Sequence, residues 1–501
     1  MQNSMKRGII VGIGFLLQII LMVAVYRYLV TYLKVIELFY LGFSLIIVLF
    51  IIKNSTRLSK DVPWIIIICF APVIGTILLF VLGRNYNNSK LMKKIRKSIK
   101  NSYKYLPLDS KITKEIEKKE LVQLQYIQDT GKFPVSKNND VEYYPMGDKV
   151  YPEMIKELKR AKKFIFIEYF VISKGKMWNT ILNILIEKAR DGLDVRIIYD
   201  DIGSIKALTS NYPKELEQYN IKCIQFNKVN PLAGIIMNNR DHRKIMVIDG
   251  RVAFSGGINI SDEYINLKER FGKWKDNGIK VTGDGVWNFT VMFLSIWNAY
   301  HKDDKDYTVF KYDFKNKENN NSYVVPYGDN PLDDEVVGED IYLNIINQSK
   351  KYLYISTPYL IIDNNLINSL ILAAKRGVDV RIVIPSIPDK KAVYSLTLSY
   401  LNTLVRGGVK IYKYSPGFIH SKVFLCDDKI STVGTINLDY RSLYLHFECG
   451  VYIMNHKVIK DIKKDFETTL RESHRVTKSE TKTGFFKTLW HAILRMFAPI
   501  L

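Results

Sequence analysis

Apolar positions fall into two regimes along this chain. Residues 9–26 are continuously apolar apart from Gln18; 36–52 form a second stretch with Glu37 at its edge, and 62–82 a third with no charge. Each approaches the roughly 20 residues of helix that cross a bilayer. As core helices, three such stretches in the first 82 residues would have nothing amphipathic to pack against. The pattern predicts a membrane region over 1–82 with two or three transmembrane helices, about 9–28, 36–52 and 62–82. No small-residue cleavage site follows the first stretch, so it does not read as a removed signal peptide.

From residue 141 the apolar runs become short, β-branched and repeated. Lys162-Lys163-Phe164-Ile165-Phe166-Ile167-Glu168 matches Lys350-Lys351-Tyr352-Leu353-Tyr354-Ile355-Ser356, and the run from Ala189 to Ile198 matches that from Ala374 to Val383. Each copy reads strand, helix, strand, then a further apolar strand, an α/β unit with a largely buried sheet. The expected fold is α/β: two pseudo-repeated halves, 141–315 and 316–475, packed together and preceded by the N-terminal transmembrane helices. Residues 83–140 read as a basic juxtamembrane segment and linker, with a short helix around 115–127. Residues 484–501 read as an amphipathic helix at a membrane interface. Lys487, His491 and Arg495 share one face there, and Phe485, Phe486, Leu489, Trp490, Ile493, Leu494 and Phe497 cover the rest.

Charge sharpens this picture. The 73 Lys and Arg against 50 Asp and Glu leave a formal +23, so the partner is a polyanion, nucleic acid or anionic lipid. Arg84, Lys90, Lys93, Lys94, Arg96, Lys97 and Lys100 follow the third apolar stretch with no acid among them, which puts that end on the cytoplasmic side. The membrane stretches favour anionic membrane lipids and argue against nucleic acid. Cys69, Cys223, Cys426 and Cys449 lack metal-site spacing and read as reduced, buried residues, in keeping with a catalytic part in the cytoplasm.

The candidate chemistry lies in a duplicated motif. His242-Arg243-Lys244 through Asp249 and His420-Ser421-Lys422 through Asp427 both read H-x-K-x4-D, and each runs on to a Gly turn and an Asn: Gly256-Gly257-Ile258-Asn259 and Gly434-Thr435-Ile436-Asn437. Alternation along the strand puts His242 and Lys244 on one face and turns Asp249 away. An imidazole beside an ammonium can attack or protonate while the cation holds an anion, which suits phosphoryl or phosphatidyl transfer. The repeat also aligns Asp276 with Glu448, candidate carboxylates for fixing the imidazole tautomers.

These residues resemble the phospholipase D superfamily and, more closely, bacterial cardiolipin synthases of the phospholipase D type. The resemblance extends to Ile167-Glu168-Tyr169-Phe170, Arg270-Phe271-Gly272, the run from Asn437 to Ser442, and Pro72-Val73-Ile74-Gly75. His446 departs from it, since Asn usually precedes Phe-Glu. The resemblance implies a cell-membrane, multi-pass phosphatidyltransferase that makes cardiolipin and glycerol from two phosphatidylglycerols through a phosphohistidine, with no metal or cofactor. His242, Lys244, Asp249, His420, Lys422 and Asp427 would form the catalytic set, with His242 as nucleophile and His420 as acid/base. Asn259 and Asn437 would bind the phosphoryl oxygens. Hydrolysis, transfer to another alcohol and, less fittingly, nuclease activity are the alternatives; the sequence leaves a homo-oligomer open.

Overall fold

The computed structural model describes all residues except 1, 29–32, 55–57, 80–88, 120, 230–238, 315–320 and 500–501. It divides into an N-terminal apolar unit and a larger unit within 87–228 and 238–495.

The apolar unit holds α1 (Gln2–Tyr28), α2 (Leu33–Asn54), α3 (Leu58–Phe70) and α4 (Pro72–Leu78). Among the described residues, no helix is long and apolar enough to cross a membrane. The expected third span is broken: Ala71, at φ −144° and ψ 72°, separates α3 from α4, because the residue before a proline avoids the α region. Its last positions, 80–82, and Arg84 lie outside the described residues. Both α1 and α2 leave large apolar side chains exposed, among them Phe15, Leu21, Phe39, Leu41 and Phe50. Cys69 is exposed on α3 rather than buried, whereas Cys426 and Cys449 are buried as expected.

Residues 83–140 are not a linker where described. Helix α5 (Lys90–Ser102) is capped by the Ser89 hydroxyl, which accepts from the Met92 N–H, and it buries Met92 and Ile95. Downstream, the Glu115 carboxylate binds Lys119 at 2.7 Å and Lys137 at 3.0 Å and accepts from the Tyr323 hydroxyl. Tyr126 donates to Asp340 at 2.8 Å. Charged residues that read as solvated are thus pinned to the second half.

Each half carries one sheet. The first has β1 (Asn139–Tyr144), β2 (Phe164–Tyr169), β3 (Asp194–Asp200), β4 (Lys222–Phe226), β5 (Lys244–Ile248), β6 (Val252–Gly256) and β8 (Gly278–Gly283), in the order β1-β8-β6-β5-β2-β3-β4; the short β7 (Lys273–Lys275) stands apart. The second half contributes β9 (Tyr323–Asp329), β10 (Tyr352–Ser356), β11 (Leu360–Ile361), β12 (Asp379–Pro385), β13 (Lys410–Tyr414), β14 (Gly417–Ile419), β15 (Val423–Cys426), β16 (Ile430–Gly434), β17 (Leu438–Asp439), β18 (Glu448–Met454) and β19 (Ser473–Arg475). Its sheet runs β19-β13-β12-β10-β15-β16-β18-β9, which, apart from β19, is the first order read backwards. The near-continuous burial of β2, β5, β10 and β15 explains why these strands read as apolar runs. Helix Val286–Tyr300 is buried along almost its whole length.

Candidate active site

The two motif strands start beside each other because the halves exchange backbone hydrogen bonds there. The His242 N–H donates to the Phe447 carbonyl at 2.9 Å, and Phe447 donates back to Arg240 at 2.8 Å. Symmetrically, the His420 N–H donates to the Lys275 carbonyl at 2.7 Å, and β7 runs parallel to β14. The charges of Lys422 and His420 reach His242, and that of Lys244 reaches His420, so both motifs share one site.

Phe447 immediately precedes Glu448, and Lys275 immediately precedes Asp276, so the exchange delivers each carboxylate to the histidine of the other half. His242 Nδ1 lies 2.9 and 3.0 Å from the Glu448 oxygens, and His420 Nδ1 lies 2.7 Å from Asp276 Oδ2. All four side chains are buried. A carboxylate on Nδ1 leaves Nε2 as the atom that reacts. Asp276 fits because Gly257 has no side chain: a Cβ there would meet Asp276 Oδ1 at 1.9 Å. The equivalent residue of the second half is Thr435, whose hydroxyl donates to Glu448 instead.

Burial dominates the electrostatics. It pushes Lys244 down to about 8 and Lys422 down to about 7, and it holds His420 down at about 4, where Lys422 adds to the lowering and Asp276 opposes it. Burial, reinforced by Lys244 and His446, also lowers His242, while it raises Glu448. Burial thus disfavours the charged form of each of these side chains, and an anion entering the site would favour the charged lysines. Each ammonium donates to the carbonyl of its own motif histidine, Lys244 at 2.5 Å and Lys422 closer still. The Asn259 amide donates to the Tyr264 hydroxyl at 2.7 Å, and that of Asn437 donates to Ser442 at 3.0 Å. Each amide nitrogen keeps a second proton to give.

The aspartates of the motif stand elsewhere. Asp249 sits in a left-handed turn at φ 55° and accepts from the backbone N–H of Lys162, Lys163 and Phe164. Asp427, at φ 52°, does the same for Lys350, Lys351 and Tyr352. Both carboxylates tie the end of the motif strand to the start of the neighbouring strand.

The chain matches the family profile described as "Cardiolipin synthase, PLD-like domain" over residues 154–274 and 342–470. It is 33% identical to cardiolipin synthase 1 of Staphylococcus aureus, over 91% of this chain and 94% of that one. It is 30% identical to the cardiolipin synthase of Alkalihalophilus pseudofirmus, over 88% and 89%. The chain belongs to the cardiolipin synthase family. An uncharacterised protein of Streptococcus mutans is 43% identical over 91% of this chain and 99% of its own. The crystal structure of a phosphatidylserine synthase of Haemophilus influenzae shares the fold, with a TM-score of 0.56 at 17% identity, over 75% of this chain and 97% of that one.

Sequence reasoning gave no place to Arg243 and Thr435 in this cardiolipin synthase family site, and it noted His446 only as a departure from the family pattern. Arg243 is buried on Glu168 at 2.5 Å and Asp241 at 3.1 Å, although both carboxylates stood beside the quoted motifs. Thr435 could have been found from its alignment with Gly257. His446 lies with its ring centroid 5.6 Å from that of His242. Together with His242 and Glu448 it brings ligand atoms within 4.8 Å of one another, a donor set that zinc accepts. The hydrogen bond between His242 and Glu448 already engages two of these, and the charges of Lys244 and Lys422 on His242 oppose a divalent ion there.

Proposed function

We propose that this chain is a cardiolipin synthase that moves a phosphatidyl group from one phosphatidylglycerol to the hydroxyl of another, releasing glycerol. The observation that carries the reading is the crossed pairing of two buried imidazoles with two buried carboxylates beside two lysines. One imidazole Nε2 attacks phosphorus as the bond to the departing glycerol oxygen breaks, and the second imidazole gives that oxygen its proton. The resulting phosphohistidine is attacked by the incoming hydroxyl, whose proton passes to the second imidazole while the P–N bond breaks. By family pattern His242 attacks and His420 handles the proton. Lys244, Lys422, Asn259 and Asn437 carry the phosphoryl charge.

The N-terminal helices would lie in the cell membrane, with the catalytic unit on the cytoplasmic side. Their exposed apolar side chains and the cationic face of α5 support this. The test is incubation of the purified protein with phosphatidylglycerol alone, followed by mass spectrometry. Cardiolipin and glycerol are expected in equal amounts, and none from His242→Ala or His420→Ala. Phosphatidic acid as the sole product would replace this reading with hydrolysis.

A further inference from the structure

His446 has no task in the chemistry described so far. Its side chain is 10% exposed, and neither ring nitrogen has a hydrogen-bond partner. Glu448 is 3.9 Å from Nδ1, beyond hydrogen-bond reach. Leaving a buried polar group unpaired is costly, and the scaffold does not demand one here. The repeat-equivalent position is Trp274, two residues before Asp276 as His446 is two before Glu448. Trp274 packs against Tyr264 and Phe418 and flanks His420 at 5.8 Å. An aromatic apolar side chain would therefore satisfy the geometry. His446 instead faces the site: its ring neighbours His242, and the charges of Lys244, Arg441, Arg240 and Lys390 act on it.

Burial first, and then those charges, lower the pKa of the imidazole, and a neutral imidazole offers one donor and one acceptor nitrogen. The donor could serve any oxygen. The acceptor is useless to a phosphate diester or an acyl ester, which bring no hydrogen to give. In the proposed reaction the neutral donors entering the site are the hydroxyls of a glycerol headgroup. We propose that His446 binds a free hydroxyl of that headgroup and so sets a preference for polyols over simple alcohols, deepening the reading given under Proposed function.

The hydroxyl could belong to the incoming alcohol or to the lipid being cleaved, and two competition assays on the full-length protein separate these. In the first, phosphatidylethanol is the donor and glycerol and 1-propanol compete as acceptors; the ratio of phosphatidylglycerol to phosphatidylpropanol is read by mass spectrometry. In the second, 1-propanol is the acceptor and phosphatidylglycerol and phosphatidylethanol compete as donors. His446→Leu should lower the glycerol preference about threefold to tenfold in one assay, the worth of one neutral hydrogen bond. Any loss common to both competitors cancels in the ratio. His446→Asn, which keeps a donor and an acceptor, should retain most of the preference, and His446→Met serves if the leucine variant does not fold. Unchanged ratios in both assays, or equal loss in the Asn and Leu variants, would overturn the proposal. Neither ratio requires cardiolipin as a product, so a wild-type protein that makes none from phosphatidylglycerol refutes the proposed function separately.

Discussion

Asp276→Asn isolates what the crossed pairing does. Asparagine keeps the shape and one hydrogen bond to His420 but removes the charge 2.7 Å from Nδ1. When His420 carries a proton during the reaction, it becomes an imidazolium in a site that already holds Lys244 and Lys422. With charge centres about 4 Å apart and an effective dielectric constant of about 20, the lost attraction is about 4 kcal/mol. The hydrogen bond that asparagine retains offsets about 1 kcal/mol of that. At about 1.4 kcal/mol per decade, kcat should fall about a hundredfold to a thousandfold. Asp276 raises the His420 pKa against the lowering by burial and Lys422, and His420 must hold a proton to give the departing oxygen, so the alkaline limb of kcat/KM due to His420 should move to lower pH. Turnover on phosphatidylglycerol vesicles gives the first quantity and its pH profile the second, with thermal unfolding confirming the fold. In a His420→Ala background the substitution should cost nothing further, because the two act as one unit. A variant that is folded and within threefold of wild-type kcat would refute the role given to Asp276.

Lys422→Met should abolish turnover yet raise the unfolding temperature of the unliganded protein at pH 7. Burial depresses the folded-state pKa from 10.5 to about 7, so between those values the unfolded chain holds a proton that the folded protein has released. Wild-type stability therefore rises with pH across that window, and the gain from Met should shrink toward pH 10; a lower unfolding temperature at pH 7 would contradict this. Asp249→Asn should tolerate the left-handed turn but weaken three backbone hydrogen bonds. The expected cost is about 2 kcal/mol in denaturant unfolding, with kcat per folded molecule within threefold of wild type; a thousandfold loss would return Asp249 to the chemistry. Phe486→Ser combined with Trp490→Ser should lower binding to anionic vesicles several-fold without changing the unfolding temperature. Both side chains are more than half exposed on helix Phe485–Met496, and undiminished vesicle binding would end that helix's interfacial role.

The pseudo-repeat was legible because it rests on local signals. Buried parallel strands read as apolar runs, and Asp249 and Asp427 sit at turns that their spacing marked. The aligned carboxylates Asp276 and Glu448 were equally visible, but their exchange between halves was not, since no periodicity reports which half an imidazole will face. On the last helix the basic face read from the sequence is split. His491 is buried, and Arg495 donates to the Ser399 hydroxyl at 3.0 Å and lies over the Tyr400 ring at 4.3 Å. His491 and Arg495 therefore dock the helix, and Lys487 and the exposed aromatic side chains are what remain for an interface. The 62–82 stretch misled for the opposite reason: hydropathy averages over Ala71-Pro72, where backbone sterics end the helix.

The two sides of the site have diverged within a shared frame. Tyr264 and Ser442 occupy equivalent positions and both hold the motif asparagine through a hydroxyl, so the phosphoryl-binding groups keep their symmetry. The surroundings of the imidazoles do not. His420 is ringed by Tyr264, Trp274 and Phe418 at 5.5 to 5.8 Å, whereas His242 has Phe170 at 4.9 Å and the polar His446. A phosphodiester is met by similar cations and amides from either half, so a symmetric frame suffices to hold it. The two bonds being exchanged are not alike, because one partner is protein and the other an alcohol. A two-step transfer needs the sides to differ there, and they do: Gly257 and Trp274 stand beside Asp276 and His420, whereas Thr435 and His446 stand beside Glu448 and His242.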